Sequence, residues 1–206
     1  PFVFVSMIPL LVLEDRMFNQ KEQYRPIMFF LYAWMAFAVF NLLTTWWIVF
    51  ATPPGMFVAV VLNSAFMALP WLLMHVSRRI IGRRQGPAPI IVFWLAFELL
   101  HGNWDLSWSW LDLGNVFAPQ PWMVQWYSYT GTAGGSFWVL LMNLLGFAWI
   151  KSLQETQVQT RKKNIIAGLW ISSLMVPIIV SLLLWFNYEE AHDPVHVVVV
   201  QPSHDP

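Results

Sequence analysis

Four residues with chemically active side chains lie close together near the middle of the chain: Glu98, His101, Asp105 and Ser107. Glu98 lies in the apolar run IIVFWLAFELLHG, and His101 follows three positions later. On a helix these two side chains share a face and can hydrogen-bond. A carboxylate inside a membrane is a candidate for function, whereas the same pair near a membrane surface can be purely structural. We therefore predict Glu98 and His101 as a structural or functional pair.

Two more specific interpretations of these residues have less support. Glu98, His101 and Asp105 are spaced by three and four, and one helical stripe of carboxylate, imidazole and carboxylate could ligate zinc. The Gly-Asn pair after His101 interrupts that helix, so we predict no metal site and no cofactor. Ser107 completes a Ser, His and Asp set, but closeness in sequence is no evidence of triad geometry.

The composition is that of an integral membrane protein, with 58% hydrophobic, 17% aromatic and 11% charged residues. The chain has no cysteine, which excludes disulfides, thiolate metal sites and a cysteine nucleophile within these residues. The formal net charge is zero, which argues against nucleic acid as a partner.

Six apolar runs separated by short connections predict an all-α integral membrane helix bundle. They cover 1–13, 27–50, 56–77, 88–101, 121–150 and 164–187. The first run is shorter than the roughly 20 residues that cross a bilayer. We therefore expect its span to be truncated and the chain to be a segment of a longer protein.

Basic residues occur only in alternate connections. All eleven Lys and Arg lie in the first, third and fifth: Arg16, Lys21, Arg25, Arg78, Arg79, Arg83, Arg84, Lys151, Arg161, Lys162 and Lys163. By the positive-inside rule these connections are cytoplasmic, and 51–55, 102–120 and the tail from 188 onward lie on the outer side. Buried helices of a soluble protein would not be expected to show this alternation.

Two further patterns lie on either side of residue 121. The connection 102–120 is rich in tryptophan and has no basic residue, as expected where a bilayer meets water or at the mouth of a site for an amphipathic substrate. In the next run, Gly131 and Gly135 form a G-x-x-x-G pair, which predicts close helix packing. A phosphate loop is not favoured, because no strand precedes these glycines and no lysine follows them.

The end of the chain, VHVVVVQPSHDP at 195–206, has a different character. Its four consecutive valines predict a buried β-strand rather than another helix.

The stretch 98–143 resembles the membrane domain of the apolipoprotein N-acyltransferase family, in its Bacteroidetes-type form. In that domain a Glu-containing helix leads into a Pro-Trp-Leu-x-x-Gly-like loop and a Gly-rich helix. The matching residues are Glu98, Trp110, Leu111, Gly114, Gln125, Gly131, Gly134, Gly135, Ser136 and Asn143. The chain departs from the family at His101, where Arg is frequent, and at Ser109, where Pro is frequent.

The resemblance implies a domain organisation. In the family a nitrilase-like α/β domain follows the membrane helices, and its first strand ends in Val-Gln-Pro, as in VVVVQPSHDP. Residues 1–190 would then be the polytopic transmembrane domain. Residues 191–206 would begin a periplasmic nitrilase-like catalytic domain that is otherwise missing.

The resemblance also implies an activity. The family transfers an acyl chain from phospholipid to the N-terminal cysteine amine of a diacylated apolipoprotein, through a thioester on a cysteine activated by Glu and Lys. This chain has no cysteine, and its four lysines lie in the predicted cytoplasmic connections. No catalytic residue is therefore carried over, and we expect these 206 residues alone to be inactive.

The expected role is to anchor the enzyme in the bacterial inner membrane, with the C-terminal tail periplasmic, and to help present phospholipid and apolipoprotein. Trp110, Asn115, Gln125 and Tyr127 are the predicted substrate-binding residues, since they combine aromatic rings with polar groups near the outer surface. A transporter or channel using Glu98 and His101 is the alternative, although the chain has neither an internal repeat nor paired broken helices.

Overall fold

The computed structural model describes residues 2–105, 107–189 and 197–199. All regular secondary structure within these ranges is helical. The α-helices are α1 (Ile8–Asn19), α2 (Pro26–Thr45), α3 (Pro53–Ile81), α4 (Ile90–His101), α5 (Tyr127–Gln154) and α6 (Thr160–Phe186). Each predicted apolar run thus contains or overlaps one helix.

Four helices are long and apolar enough to cross a bilayer. These candidate spans are Pro26–Phe50, which joins α2 to the 3₁₀ helix after it, and α3, α5 and α6. Helices α1 and α4 have 12 residues each and measure about 18 Å, well short of a hydrocarbon core of about 30 Å. The structure therefore supports a membrane helix bundle with four candidate spans, and the six spans remain a prediction.

The ends of α3 show how the sequence sets the helix boundaries. Thr52 precedes the helix, and its hydroxyl accepts a hydrogen bond from the Gly55 N–H at 3.3 Å, which caps the first turn. Proline follows at the first helical positions, where its fixed φ suits a helix and its missing N–H has no intrahelical partner to lose. Gly82 ends the helix with φ of 100°, a conformation that favours glycine.

Helices α2 and α3 form an antiparallel pair, and α4 packs on α3. Their contact buries a cluster of large apolar side chains: Phe29, Ala33, Phe37, Met67, Trp71, Met74 and Trp94. Polar side chains also join the pair, since the Asn63 amide donates to Asn41 Oδ1 at 2.7 Å and the Asn41 amide donates to Ser64 Oγ at 3.1 Å. The hydrophobic effect does not drive helices together within lipid, so hydrogen bonds of this kind contribute to their association.

A buried network of charged side chains joins α1, α3 and α5 at one end of the bundle. The carboxylate of Glu14, fully buried, accepts hydrogen bonds from Arg78 and, at 2.8 Å, from His75. Asp15 accepts from Arg78 at 2.7 Å and from Lys151 at 2.8 Å. Arg78 thus lies between two carboxylates and is 4% exposed.

This network brings the three basic connections to the same end of the bundle. Arg79 reinforces it by donating to the backbone carbonyls of Lys21 and Tyr24. At the opposite end, Trp47 stacks on Trp110 with ring centroids 5.6 Å apart, which joins the connection after α2 to the one after α4. The contacts therefore agree with the two-sided arrangement that the charge pattern predicts.

The predicted C-terminal strand lies almost entirely outside the described residues. Val197, Val198 and Val199 are described, and they are exposed without regular secondary structure. The strand and the domain it would begin remain predictions.

Replacing Glu14 with Gln is expected to destabilise the bundle by about 3 kcal/mol, because it removes the negative partner of a buried arginine. A matched control is Glu22→Gln, which changes an exposed carboxylate in the connection after α1. Unfolding of both variants in mixed micelles by a denaturing detergent measures the difference. Equal stability of the two variants would contradict a structural role for the network.

Candidate functional site

The segment 102–126 between α4 and α5 is irregular, and helix side chains hold its backbone. It contains three short 3₁₀ helices: Ser109–Leu111, Leu113–Phe117 and Pro121–Met123. The Leu113 N–H donates to Glu98 Oε1 at 2.9 Å, and the Gly114 N–H donates to Ser136 Oγ at 2.9 Å. Further along, the Gln125 N–H donates to Ser181 Oγ at 2.6 Å. Helices α4, α5 and α6 therefore each bind the backbone of the segment.

Glu98 acts as a buried hydrogen-bond acceptor at the start of this segment. In addition to the Leu113 N–H, its carboxylate accepts from Trp94 Nε1 at 2.7 Å. The side chain lines a small cavity together with Trp108 and Asp112 of the segment, and its bond to Leu113 holds the segment on α4. This geometry supports a positioning role for Glu98.

His101 has partners different from those of Glu98. Its Nδ1 accepts a hydrogen bond from Trp104 Nε1 at 3.0 Å, so the proton is on Nε2, which donates to Asn63 Oδ1 at 3.2 Å. The hydrogen bond predicted between Glu98 and His101 is not formed. The shared helix face is present, but each side chain reaches a partner on another part of the fold instead.

Three of the four residues in the weaker sequence interpretations lie along a separate cavity of about 470 Å³. His101, Asp105 and Ser107 all line it, together with side chains of the first half of α3. Both ring nitrogens of His101 already have partners, so the ring is not free to act as a base for Ser107. Within the described ranges, no three His, Cys, Asp or Glu side chains are grouped closely enough to hold a metal ion.

Two glycines allow the segment to lie directly on α5. A Cβ at Gly114 would be 2.0 Å from the backbone oxygen of Thr132, and one at Gly135 would be 2.9 Å from the Gly114 Cα. Tyr127 closes the same contact, since its hydroxyl donates to the Gly114 carbonyl oxygen at 2.8 Å.

The predicted G-x-x-x-G helix pairing takes another form in the structure. Gly135 packs against the irregular segment rather than against a neighbouring helix. Gly131 has φ of 63° and breaks the regular geometry of α5, with open space where its Cβ would lie. Its role is therefore conformational, and the spacing of the two glycines does not reflect a common packing surface.

A largely apolar groove of about 690 Å³ lies between α1, α2 and the irregular segment. Its walls include Leu10 and Leu13 of α1 and Phe37 and Phe40 of α2. At the end formed by the segment, the lining includes Trp110, Asp112 and Asn115. A volume of this size is in the range of ligand-binding clefts.

The structure separates the four predicted substrate-binding residues into two groups. Trp110 and Asn115 line the groove. Gln125 instead donates its side-chain amide to the Pro121 carbonyl at 2.8 Å, and Tyr127 is bonded to Gly114. The second pair shapes the segment, whereas the first faces the groove.

Asp112 is a groove residue that the sequence analysis missed. Burial raises the pKa of its carboxyl to about 7, and the nearby charge of Glu98 adds to the effect. Near neutral pH the group is therefore present in both protonated and ionised forms, and the protonated form can donate a hydrogen bond. The sequence did contain a signal for Asp112, because an acidic residue lies there between the tryptophans and the Leu-Gly-Asn turn.

Comparison with known proteins identifies the family of this chain. Residues 1–145 match the family model of the apolipoprotein N-acyltransferase N-terminal domain. The chain belongs to this family. It is 27% identical over 208 residues to the apolipoprotein N-acyltransferase of Chlorobaculum tepidum, and the match covers 100% of this chain and 37% of that protein. The chain thus spans little more than a third of its relative. No solved structure matches it.

The family match confirms the resemblance first seen at 98–143, and it extends over most of the chain. The relative is named as an apolipoprotein N-acyltransferase. The residues that face the groove or hold the irregular segment are not assigned a role by either comparison.

Replacing Gly114 with Ala is expected to displace the irregular segment from α5, because the added methyl would overlap the Thr132 carbonyl. We expect a loss of about 1–3 kcal/mol of stability, as for other overpacked contacts. Gly168→Ala is the matched control, since its added methyl meets nothing within 4 Å. Thermal unfolding in detergent measures both. A Gly114→Ala variant as stable as the control would contradict the close contact.

Proposed function

We propose that this chain is the membrane part of an apolipoprotein N-acyltransferase and that its groove holds an acyl chain of a lipid substrate. The reaction of the whole protein would transfer an acyl chain from phospholipid to the N-terminal cysteine amine of diacylated apolipoprotein. The observation that carries the proposal is the 690 Å³ apolar groove, which ends at Trp110, Asp112 and Asn115. An amphipathic lipid has the same division between a long apolar part and a polar end.

The polar end of the groove must provide most of the selectivity. An acyl chain in a bilayer is already surrounded by hydrocarbon, so moving it into an apolar groove gains little hydrophobic free energy. Hydrogen bonds to ester or phosphate oxygens can distinguish a substrate from bulk lipid. Asn115 lines this end, and its amide donates one N–H to the Ser109 carbonyl at 2.7 Å, which leaves the second N–H to donate.

The hydrogen bonds around Glu98 support this role for the segment. Glu98 and Ser136 bind two successive backbone N–H groups, at Leu113 and Gly114, which lie directly between Asp112 and Asn115 in the sequence. The groove-lining side chains are therefore held by a rigid part of the bundle. Such support is what an oriented lipid headgroup requires.

The orientation is also a proposal. The basic connections would face the cytoplasm and the irregular segment the periplasm, in a bacterial inner membrane. The nucleophile, the general base and the lysine of the transfer would lie outside these 206 residues, since the chain has no cysteine. These residues alone would anchor the enzyme and present lipid without turnover.

Single cysteines at Thr52 and Asn103 are expected to react with an impermeant thiol reagent added to the periplasmic side, and cysteines at Gln20 and Gln157 are not. All four positions are exposed, and the chain has no cysteine of its own to react. Opening the cells should make the second pair reactive, which controls for accessibility. Labelling of Gln20→Cys or Gln157→Cys in intact cells would contradict the proposed orientation.

Replacing Trp110 with Ala in the full-length enzyme is expected to slow acyl transfer about tenfold. Loss of its stacking on Trp47 and of one groove wall removes about 1.4 kcal/mol of favourable contact. Trp122→Ala is the matched control, because Trp122 is exposed in the same segment but does not line the groove. The measurement is transfer of a labelled acyl chain from phospholipid to a diacylated lipopeptide. Equal rates in the two variants would mean that Trp110 is only an interfacial anchor.

A further inference from the structure

A second cavity continues the groove toward the basic end of the bundle. It has a volume of about 580 Å³ and shares Leu13 of α1 and Tyr32 of α2 with the apolar groove. Along α2, the lining of the groove extends from Tyr32 to Thr44, a distance of about 18 Å at the rise of an α-helix. The two cavities therefore adjoin each other beside α1 and α2, at Leu13 and Tyr32.

The chemistry of the second cavity differs from that of the groove. Its lining includes Arg16, Asn19, Gln20 and Tyr24. Among the residues that the structure describes, Arg16 is the one charged side chain in this lining, and it is exposed. Neither Glu14 nor Asp15 binds it, because these carboxylates are engaged by Arg78, His75 and Lys151. The cavity thus presents a cation with no carboxylate on its walls.

We propose that this cavity binds the phosphate group of an anionic phospholipid from the cytoplasmic leaflet, with an acyl chain extending past Leu13 into the groove. A guanidinium group binds phosphate oxygens through two parallel N–H bonds, and the Gln20 amide and the Tyr24 hydroxyl can complete the contact. Basic pockets between membrane helices on the cytoplasmic side are suited to anionic headgroups. The leaflet rests on the proposed orientation, whereas the binding itself does not depend on acyl transfer.

The adjoining position of the two cavities distinguishes a lipid from a soluble anion. A soluble phosphate would use only Arg16 and the polar groups beside it. A phospholipid would also contact Leu13 and Tyr32, which line both the polar cavity and the apolar groove. This lipid would enter from the leaflet opposite to that of the proposed substrate and would not be consumed.

The test is a titration of the purified protein with phosphatidylglycerol or phosphatidylethanolamine, with bound lipid counted by native mass spectrometry. We expect tighter binding of phosphatidylglycerol, and a five- to tenfold weaker affinity in Arg16→Gln, in line with one basic contact to an anionic headgroup. Arg84→Gln is the matched control, because it removes the same charge from an exposed residue at the same end that does not line the cavity.

Three results would overturn the proposal. They are equal affinity for the two lipids, an equal loss in Arg16→Gln and Arg84→Gln, and displacement of the lipid by glycerol phosphate at comparable concentration. The last would show that a free phosphate, not a lipid, occupies the cavity. Lipid binding is counted on the purified protein without any transfer reaction, so failure of the acyl-transfer proposal and failure of this one give different results.

Discussion

The irregular backbone of the segment 102–126 depends on side chains that satisfy its hydrogen-bonding groups. Non-helical backbone at or near membrane depth is tolerated only where protein or water binds its N–H and C=O groups. Here Glu98, Ser136 and Ser181 accept hydrogen bonds from three backbone N–H groups, and each comes from a different helix. The groove end, the glycine contact with α5 and the position of α6 all follow from those three bonds.

The opposite end of the bundle is held by charge instead. Glu14 and Asp15 lie on α1, a helix too short to span the bilayer, and both bind Arg78 of α3. This network anchors α1 against α3 and α5, which leaves the other side of α1 separated from α2 by the groove. A buried arginine between two carboxylates is stable only while both remain. The groove therefore depends on a network at some distance from its polar end.

The sequence could predict the elements of this fold better than their partners. Apolar runs and alternating charge gave the helices and the two ends, since both depend on local composition. The partner of Glu98 could not be found in this way, because the Leu113 N–H lies 15 positions later in an irregular segment. Glu98 and His101 share a helix face but bond to other partners for the same reason: helical spacing brings side chains near each other, but the tertiary fold decides which bonds form. The groove combines residues from the N-terminus, α1, α2 and the segment, a set that no local pattern reveals.

Asp112 shows how the two halves of the site are coupled. Its raised pKa, about 7, has burial as its main cause and the charge of Glu98 as a second. The pKa of this carboxyl is higher in the folded protein than its ordinary value of 3.8. The group therefore lowers the stability of the folded protein most above pH 7, where it must be ionised within the bundle. Glu98 holds the segment by binding the Leu113 N–H. The charge of the same carboxylate also favours the protonated form of Asp112. A protonated Asp112 can donate to a lipid ester oxygen, whereas the ionised form would repel a phosphate, and the geometry thus links support of the segment to the chemistry of the groove.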